Sequence, residues 1–181
     1  MNRLLSLIAW VHQAPIVKED GVGGPRRAVP HIWAPRSNFG LLVEPRYLLA
    51  PSDNYSADRW LALALYKEGL NSKSVFYSLF SFWKMIEVAI VNKDVRWGWI
   101  NSMAPLLMIA RDRITKIASE HDNVAEYLDY SCRCAIAHVF REPVINPDDY
   151  ADYVRISQDV HVVEELARRA VDEHLPSRVD V

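Results

Sequence analysis

Ser131-Cys132-Arg133-Cys134-Ala135-Ile136-Ala137-His138 is the stretch on which the reading of this chain turns. It lies near the C-terminal end of a segment, about residues 122–140, that reads as a buried helix stopped by Pro143. A permanently charged guanidinium and a titratable imidazole stand among side chains almost too small to pack around them. Charged groups enter a helical bundle when they are paired or used. On an ideal α-helix the spacing puts Arg133 and His138 about 140° apart, so they do not share a face. A long arginine can swing toward the last turn, and a two-fold partner would supply a second pair. The competing reading is a crowded core helix, with Arg133 extending outward and His138 favoured by the helix dipole.

Outward from this stretch, everything after Ser56 reads helical. Trp60, Leu61, Ala64 and Leu65 make the apolar stripe of a first helix closed by Gly69. A second helix follows Asn71-Ser72-Lys73-Ser74 and runs through about Asn92, with Phe76, Phe80, Trp83, Glu87 and Ile90 as its inner stripe. Glu87 is the carboxylate in that stripe and needs a cation or a proton to be buried there. Arg133 is the expected partner. Tyr77 and Trp83 read as core, whereas Trp97 and Trp99, flanking Gly98 in a connection, are candidates for stacking on a base. A third segment starts near Met103, with Pro105 in its first turn and Leu106, Leu107, Ala110, Ile114 and Ile117 on its apolar face. The last helix starts at Asn146 as N-cap, followed by Pro147, Asp148 and Asp149. Its inward positions are Tyr153, Ile156, Val160, Val163, Ala167 and Ala170. About five antiparallel helices with short loops make an all-α up-and-down bundle over residues 57–175.

The chain has 181 residues, enough for one domain with a real core, and its 50% hydrophobic and 24% charged residues are a soluble globular composition. A net charge of −2 argues against non-specific binding along a duplex but leaves room for a local basic groove. Cys132 and Cys134 point about 200° apart on a helix, which makes a bridge between them poor. No second cysteine pair or histidine cluster accompanies them for zinc, so reduced, buried thiols in a cytoplasmic protein are expected. Residues 1–56 hold most of the prolines and glycines and read as an irregular arm, with room for a short β-hairpin from residues 39–43 and 47–49. Residues 176–181 read as a tail. The apolar run at residues 4–11, after Arg3, loosely resembles a signal peptide but is short and lacks a convincing cleavage site. No stretch is long enough to span a bilayer.

Three segments taken in order resemble the HEPN superfamily. They are Tyr77-Ser78-Leu79-Phe80-Ser81-Phe82-Trp83-Lys84-Met85-Ile86-Glu87, then Arg133-Cys134-Ala135-Ile136-Ala137-His138, then Asn146-Pro147-Asp148-Asp149. The wording is most similar to the branch labelled methylamine-utilisation protein J. The resemblance covers residues 57–175 and implies a metal-independent endoribonuclease without a cofactor, in a toxin or antiphage defence system. It implies that the RNA 2′-hydroxyl attacks the adjacent phosphate, that His138 moves protons and that Arg133 stabilises charge on the non-bridging oxygens. Glu87 would then orient Arg133, and Lys84 and Arg141 are the nearest phosphate contacts. Two copies would meet across the signature helices as a homodimer, with a cognate antitoxin or larger complex as a further partner. Active members usually carry Asn or Asp directly after the arginine, whereas here Cys134 stands there, and a thiol does not replace an amide's hydrogen bonds. The alternative is a non-catalytic HEPN-like module that binds a nucleotide, an RNA or a protein. A third reading is a structural interaction domain that docks on another subunit through residues 1–56.

Overall fold

The computed structural model describes residues 2–15, 55–137 and 144–175. The expected hairpin within residues 16–54, His138, Arg141, the end of the fourth helix and the tail at 176–181 lie outside the described residues. Among the described residues the chain is all-helical, as expected, with no strand. The helices are α1 (Asn2–His12), α2 (Ala57–Asn71), α3 (Val75–Ala89), α4 (Lys93–Met103), α5 (Arg111–Glu120), α6 (residues 124–137) and α7 (Tyr150–His174). The long α7 packs along α3, α3 packs on α2, and α1 lies on α2. Part of the stretch read as an irregular arm is therefore a helix docked on the bundle. Its Trp10 ring meets Tyr66 edge-on at 5.1 Å, and the guanidinium of Arg168 of α7 lies over the Trp10 ring, 5.7 Å from its centre.

The stripe of α7 reads as expected from Ile156 through Val160, Val163, Ala167 and Ala170, all buried, while Tyr153 is exposed near the helix start. The cap is Asp149, whose side chain accepts from the N–H groups of Ala151 and Asp152. Asn146 sits one turn earlier and accepts from the N–H of Asp148 at 3.0 Å. In α2 the buried face is Arg59, Ala62, Leu63, Tyr66 and Gly69, rotated from the expected stripe, and Leu61 is exposed. The reason is that two polar side chains belong to that face. Tyr66 donates to Glu164 at 3.1 Å, and Arg59 donates to the carbonyls of Val171 and Leu175 where α7 ends. In α3 the buried face is Leu79, Phe82, Trp83, Met85 and Ile86, so Tyr77, expected in the core, is instead 69% exposed.

The connection expected after Asn92 is the helix α4, capped by Asn92 accepting from the N–H groups of Asp94 and Val95. Trp97 and Trp99 are thus helical residues. The third segment is broken in two: a 3₁₀ turn at Ala104–Leu106, then α5. Glu165 of α7 makes that break, accepting from the N–H groups of Met108, Ile109 and Ala110 at 2.9, 3.0 and 3.1 Å. Burial works against its charge, but those three donors, with Arg169, hold the carboxyl below its ordinary pKa. Leu106 is left exposed by the turn. No single helix among the described residues is long and apolar enough to cross a membrane.

Gly69 does not close α2, which continues to Asn71. Its role is close approach: a Cβ there would stand 2.5 Å from Cε1 of Phe82, a ring buried against both helices. Gly69→Ala gains helix propensity of about 1 kcal/mol but overpacks the α2–α3 contact. A net loss of about 1–3 kcal/mol in urea unfolding is expected, and a stabilised variant would contradict this packing.

Candidate functional site

The helix α6 is not the regular α-helix its sequence suggests. It opens with Val124–Tyr127, capped by Asn123, continues as a π-helix over Leu128–Cys134, and returns to α geometry at Ala135–Ala137. The N–H of Ala135 reaches the carbonyl of Tyr130 as well as that of Cys132. The wider turn brings residues five apart onto one side, and Cys134 Sγ lies 3.7 Å from Asp129 Oδ1. On an α-helix those positions would diverge by about 140°, so the angle expected for this stretch does not hold through Cys134. Such segments are uncommon and concentrate at functional sites.

Arg133 leaves this segment to meet α3. Its Nη2 lies 3.2 Å from Glu87 Oε1, the pairing expected from the apolar stripe. The same oxygen accepts from the indole N–H of fully buried Trp83 at 3.1 Å and faces Arg96 Nη2 at 3.9 Å. The side chains of Arg133 and Glu87 are each 27% exposed, so Glu87 is less buried than expected. Arg133 Nη1 donates to Cys134 Sγ at 3.5 Å. Asp129, nearly buried, accepts from the Trp97 indole at 3.2 Å and faces Lys93 Nζ at 3.5 Å. Lys93 also donates to the Tyr130 hydroxyl at 3.2 Å and lies 4.3 Å over the Trp97 ring. That hydrogen bond first, then the charge of Asp129, raises the Lys93 pKa above its ordinary value. Arg96 Nη1 donates to the carbonyls of Ile90 and Val91 at the end of α3. Lys93, Arg96 and Arg133 stand against Glu87 and Asp129, which leaves this cluster one positive charge in excess.

Of the residues singled out from sequence, Arg133, Glu87, Cys134 and Trp97 come together. Trp99 does not: it donates to Glu173 at 2.8 Å and packs against His174, away from Arg133's partners. Lys84 is exposed and lies 4.7 Å over the Phe80 ring of its own helix. His138 and Arg141 are outside the described residues. Sequence reasoning missed Lys93, Arg96 and Asp129. Asp129 four positions before Arg133 is an acid–base spacing that pattern reading can flag; the π segment that redirects both has no such mark. Among the described residues no three His, Cys, Asp or Glu side chains are grouped to hold a metal ion.

Cys132 belongs to a second network, centred on Asp159 of α7, which is 0% exposed. Asp159 accepts from Arg113 Nε at 2.6 Å, the Tyr127 hydroxyl at 2.8 Å and Cys132 Sγ at 3.5 Å. Arg155 completes it, 4.0 Å from Asp159 and donating to the Ser131 carbonyl at 2.9 Å. Burial, then Asp159, pushes the Cys132 thiol well up, so it stays protonated and unreactive. Neither cysteine forms a disulfide.

Glu87→Ala would strand the Trp83 indole donor and loosen Arg133. A loss of about 1–3 kcal/mol is expected, with a smaller loss for Glu87→Gln, whose amide oxygen can still accept from Trp83. Equal losses for the two variants would show that the shared hydrogen bond does not matter.

No curated protein and no solved structure matches the chain significantly. The family model described as methylamine utilization protein MauJ matches residues 62–172. That span runs from within α2 to near the end of α7 and contains Glu87, the π segment and Arg133. The chain therefore belongs to the MauJ family, a HEPN-type family of helical proteins.

Proposed function

We propose that this protein is a metal-independent endoribonuclease whose active groups are Arg133 and His138. The observation that carries the reading is the state of Arg133: Glu87 orients the guanidinium from one side, while about a quarter of the side chain still reaches solvent. A guanidinium fixed before substrate arrives loses little freedom on gripping a phosphate, and its charge faces the non-bridging oxygens as the pentavalent centre forms. In the reaction the RNA 2′-hydroxyl gives up its proton, its oxygen bonds to phosphorus, and the bond to the 5′-oxygen breaks as that oxygen takes up a proton. His138 serves these proton transfers near neutral pH. Lys93 and Trp97 give the same cluster a further cation and an aromatic ring beside it. A toxin or defence role in the cytoplasm, where both thiols stay reduced, fits this chemistry.

Cys134 favours a second reading. Its buried sulfur takes one Nη of Arg133 and leans on Asp129, where active relatives of the superfamily usually present a polar amide or carboxyl. A protein arrested there would hold RNA or nucleotide without cutting it. Incubating the purified protein with single-stranded RNA in excess chelator separates the two. Fragments support the nuclease, retention of intact RNA supports the binding module, and the absence of both leaves neither reading standing.

We also propose a homodimer. The small side chains Cys132, Cys134 and Ala135 are consumed inside the bundle, so the contact falls to Ile136 and Ala137 at the described end of α6. Light scattering at micromolar concentration is expected to give twice the chain mass, and a monomer would contradict it.

A further inference from the structure

A groove between α5 and the start of α7 lies beside the Asp159 network and has no part in the chemistry assigned to Arg133. Its cavity is about 560 Å³, within the range of small-molecule sites, about 300–1,000 Å³. Three cationic side chains line it, Arg113, Lys116 and Arg155, with one carboxylate, Glu120. Asp159 faces the core with no exposure, and Asp152 takes one Nη of Arg155 at 3.4 Å. Lys116 and Glu120 are 3.9 Å apart and more than half exposed, a contact weak enough for a phosphate to displace. With Asp152 and Asp159 counted, three cations meet three carboxylates, and Lys116, with its side chain 61% exposed, is the cation a ligand reaches most readily.

The groove also carries a prepared aromatic surface. The His121 ring stacks on Tyr127 at 4.4 Å with 24° between planes. Tyr127 cannot swing, because its hydroxyl donates to Asp159 at 2.8 Å and accepts from Arg113 at 3.1 Å. His121 is exposed, while Tyr127 beneath it is buried. Tyr150, the first residue of α7, lines the same groove and is 80% exposed. An aromatic platform beside cations suits a ligand with a flat base and a phosphate, and a plain carboxylate or phosphate would leave the rings unused.

We propose that this groove is a subsite for an unpaired nucleotide, its base stacked on His121 and its phosphate between Lys116 and Arg155. The proposal builds on the reading of the chain as directed to RNA, yet its test does not need catalysis. The nucleotide can be free or part of a strand, and two probes separate these: adenosine 5′-monophosphate, and a 2′-O-methyl oligoadenylate that cannot be cleaved through its 2′-oxygen. Binding of each is measured by calorimetry with wild type, His121→Ala, His121→Phe and Lys116→Ala. All these side chains are exposed, so the fold should tolerate the changes.

His121→Ala should weaken binding about 5- to 150-fold, while His121→Phe, which keeps a stacking face, should bind close to wild type. Lys116→Ala should flatten the salt dependence by about one phosphate contact. Monophosphate binding that depends on His121 assigns a free nucleotide; oligonucleotide binding alone assigns a strand. The proposal is overturned if wild type binds neither probe, or if His121→Ala binds both as wild type does. A chain that cuts no RNA yet shows this His121 dependence would remove the nuclease reading and leave the groove.

Discussion

Arg133→Ala is expected to lower chelator-resistant RNA cleavage about 10²–10³-fold, the usual scale for losing one oriented stabiliser of developing charge. His138→Ala should cost about 10²–10⁴-fold, the range for a positioned proton-transfer group. The two should not add fully, since both act on one transition state. Arg133→Lys should fall between wild type and Ala, because an ammonium supplies charge without the two-pronged grip. None of these losses should come from unfolding. With Arg133 gone, Glu87 keeps the Trp83 indole at 3.1 Å and Arg96 at 3.9 Å, so the carboxylate is not stranded. Circular dichroism of the variants should match wild type, and a variant that melts instead would assign Arg133 to the fold.

The largest stability effect belongs to Asp159→Ala. The fully buried carboxylate is the shared acceptor of Arg113, Tyr127 and Cys132, with Arg155 close by. Its removal leaves a hydroxyl and a guanidinium without their acceptor, in a place water reaches poorly. The expected loss is about 3–5 kcal/mol, a large share of the roughly 5–15 kcal/mol that holds a typical domain together. Asp159→Asn keeps the shape and part of the hydrogen bonding and should lose less. Urea unfolding measures both. A loss under about 1 kcal/mol for the Ala variant, the scale of an exposed pair, would mean the network does not hold α5, α6 and α7 together. Because Arg155 also binds the Ser131 carbonyl, loosening this network should relax the π segment that carries Arg133.

The helical bundle was legible because most of its buried positions are apolar and recur at helical spacing, nowhere more plainly than in α7. Reading failed where polar side chains join a buried face. Arg59 and Tyr66 belong to the inner side of α2, and a hydropathy stripe that omits them comes out rotated toward Leu61. The break between Leu106 and Arg111 was not legible locally, since its cause, Glu165, is more than fifty residues away. The pairing of Glu87 with Arg133 was legible from one misplaced carboxylate in an apolar run. The surroundings of that pair were not. Neither the π-helix nor the capture of Cys134 by Asp129 follows from local propensity, and both decide what Arg133 can reach.

The most direct measurement is the chemistry of the RNA ends. An oligonucleotide carrying a single 2′-deoxy position among ribonucleotides, incubated with the protein in excess chelator, should be cut elsewhere and spared at the bond following the deoxy residue. The new ends should be 2′,3′-cyclic phosphates, because the 2′-oxygen is the nucleophile. Cutting after the deoxy position, 3′-hydroxyl ends, or no cutting by a folded dimer would contradict a nuclease built on Arg133 and His138.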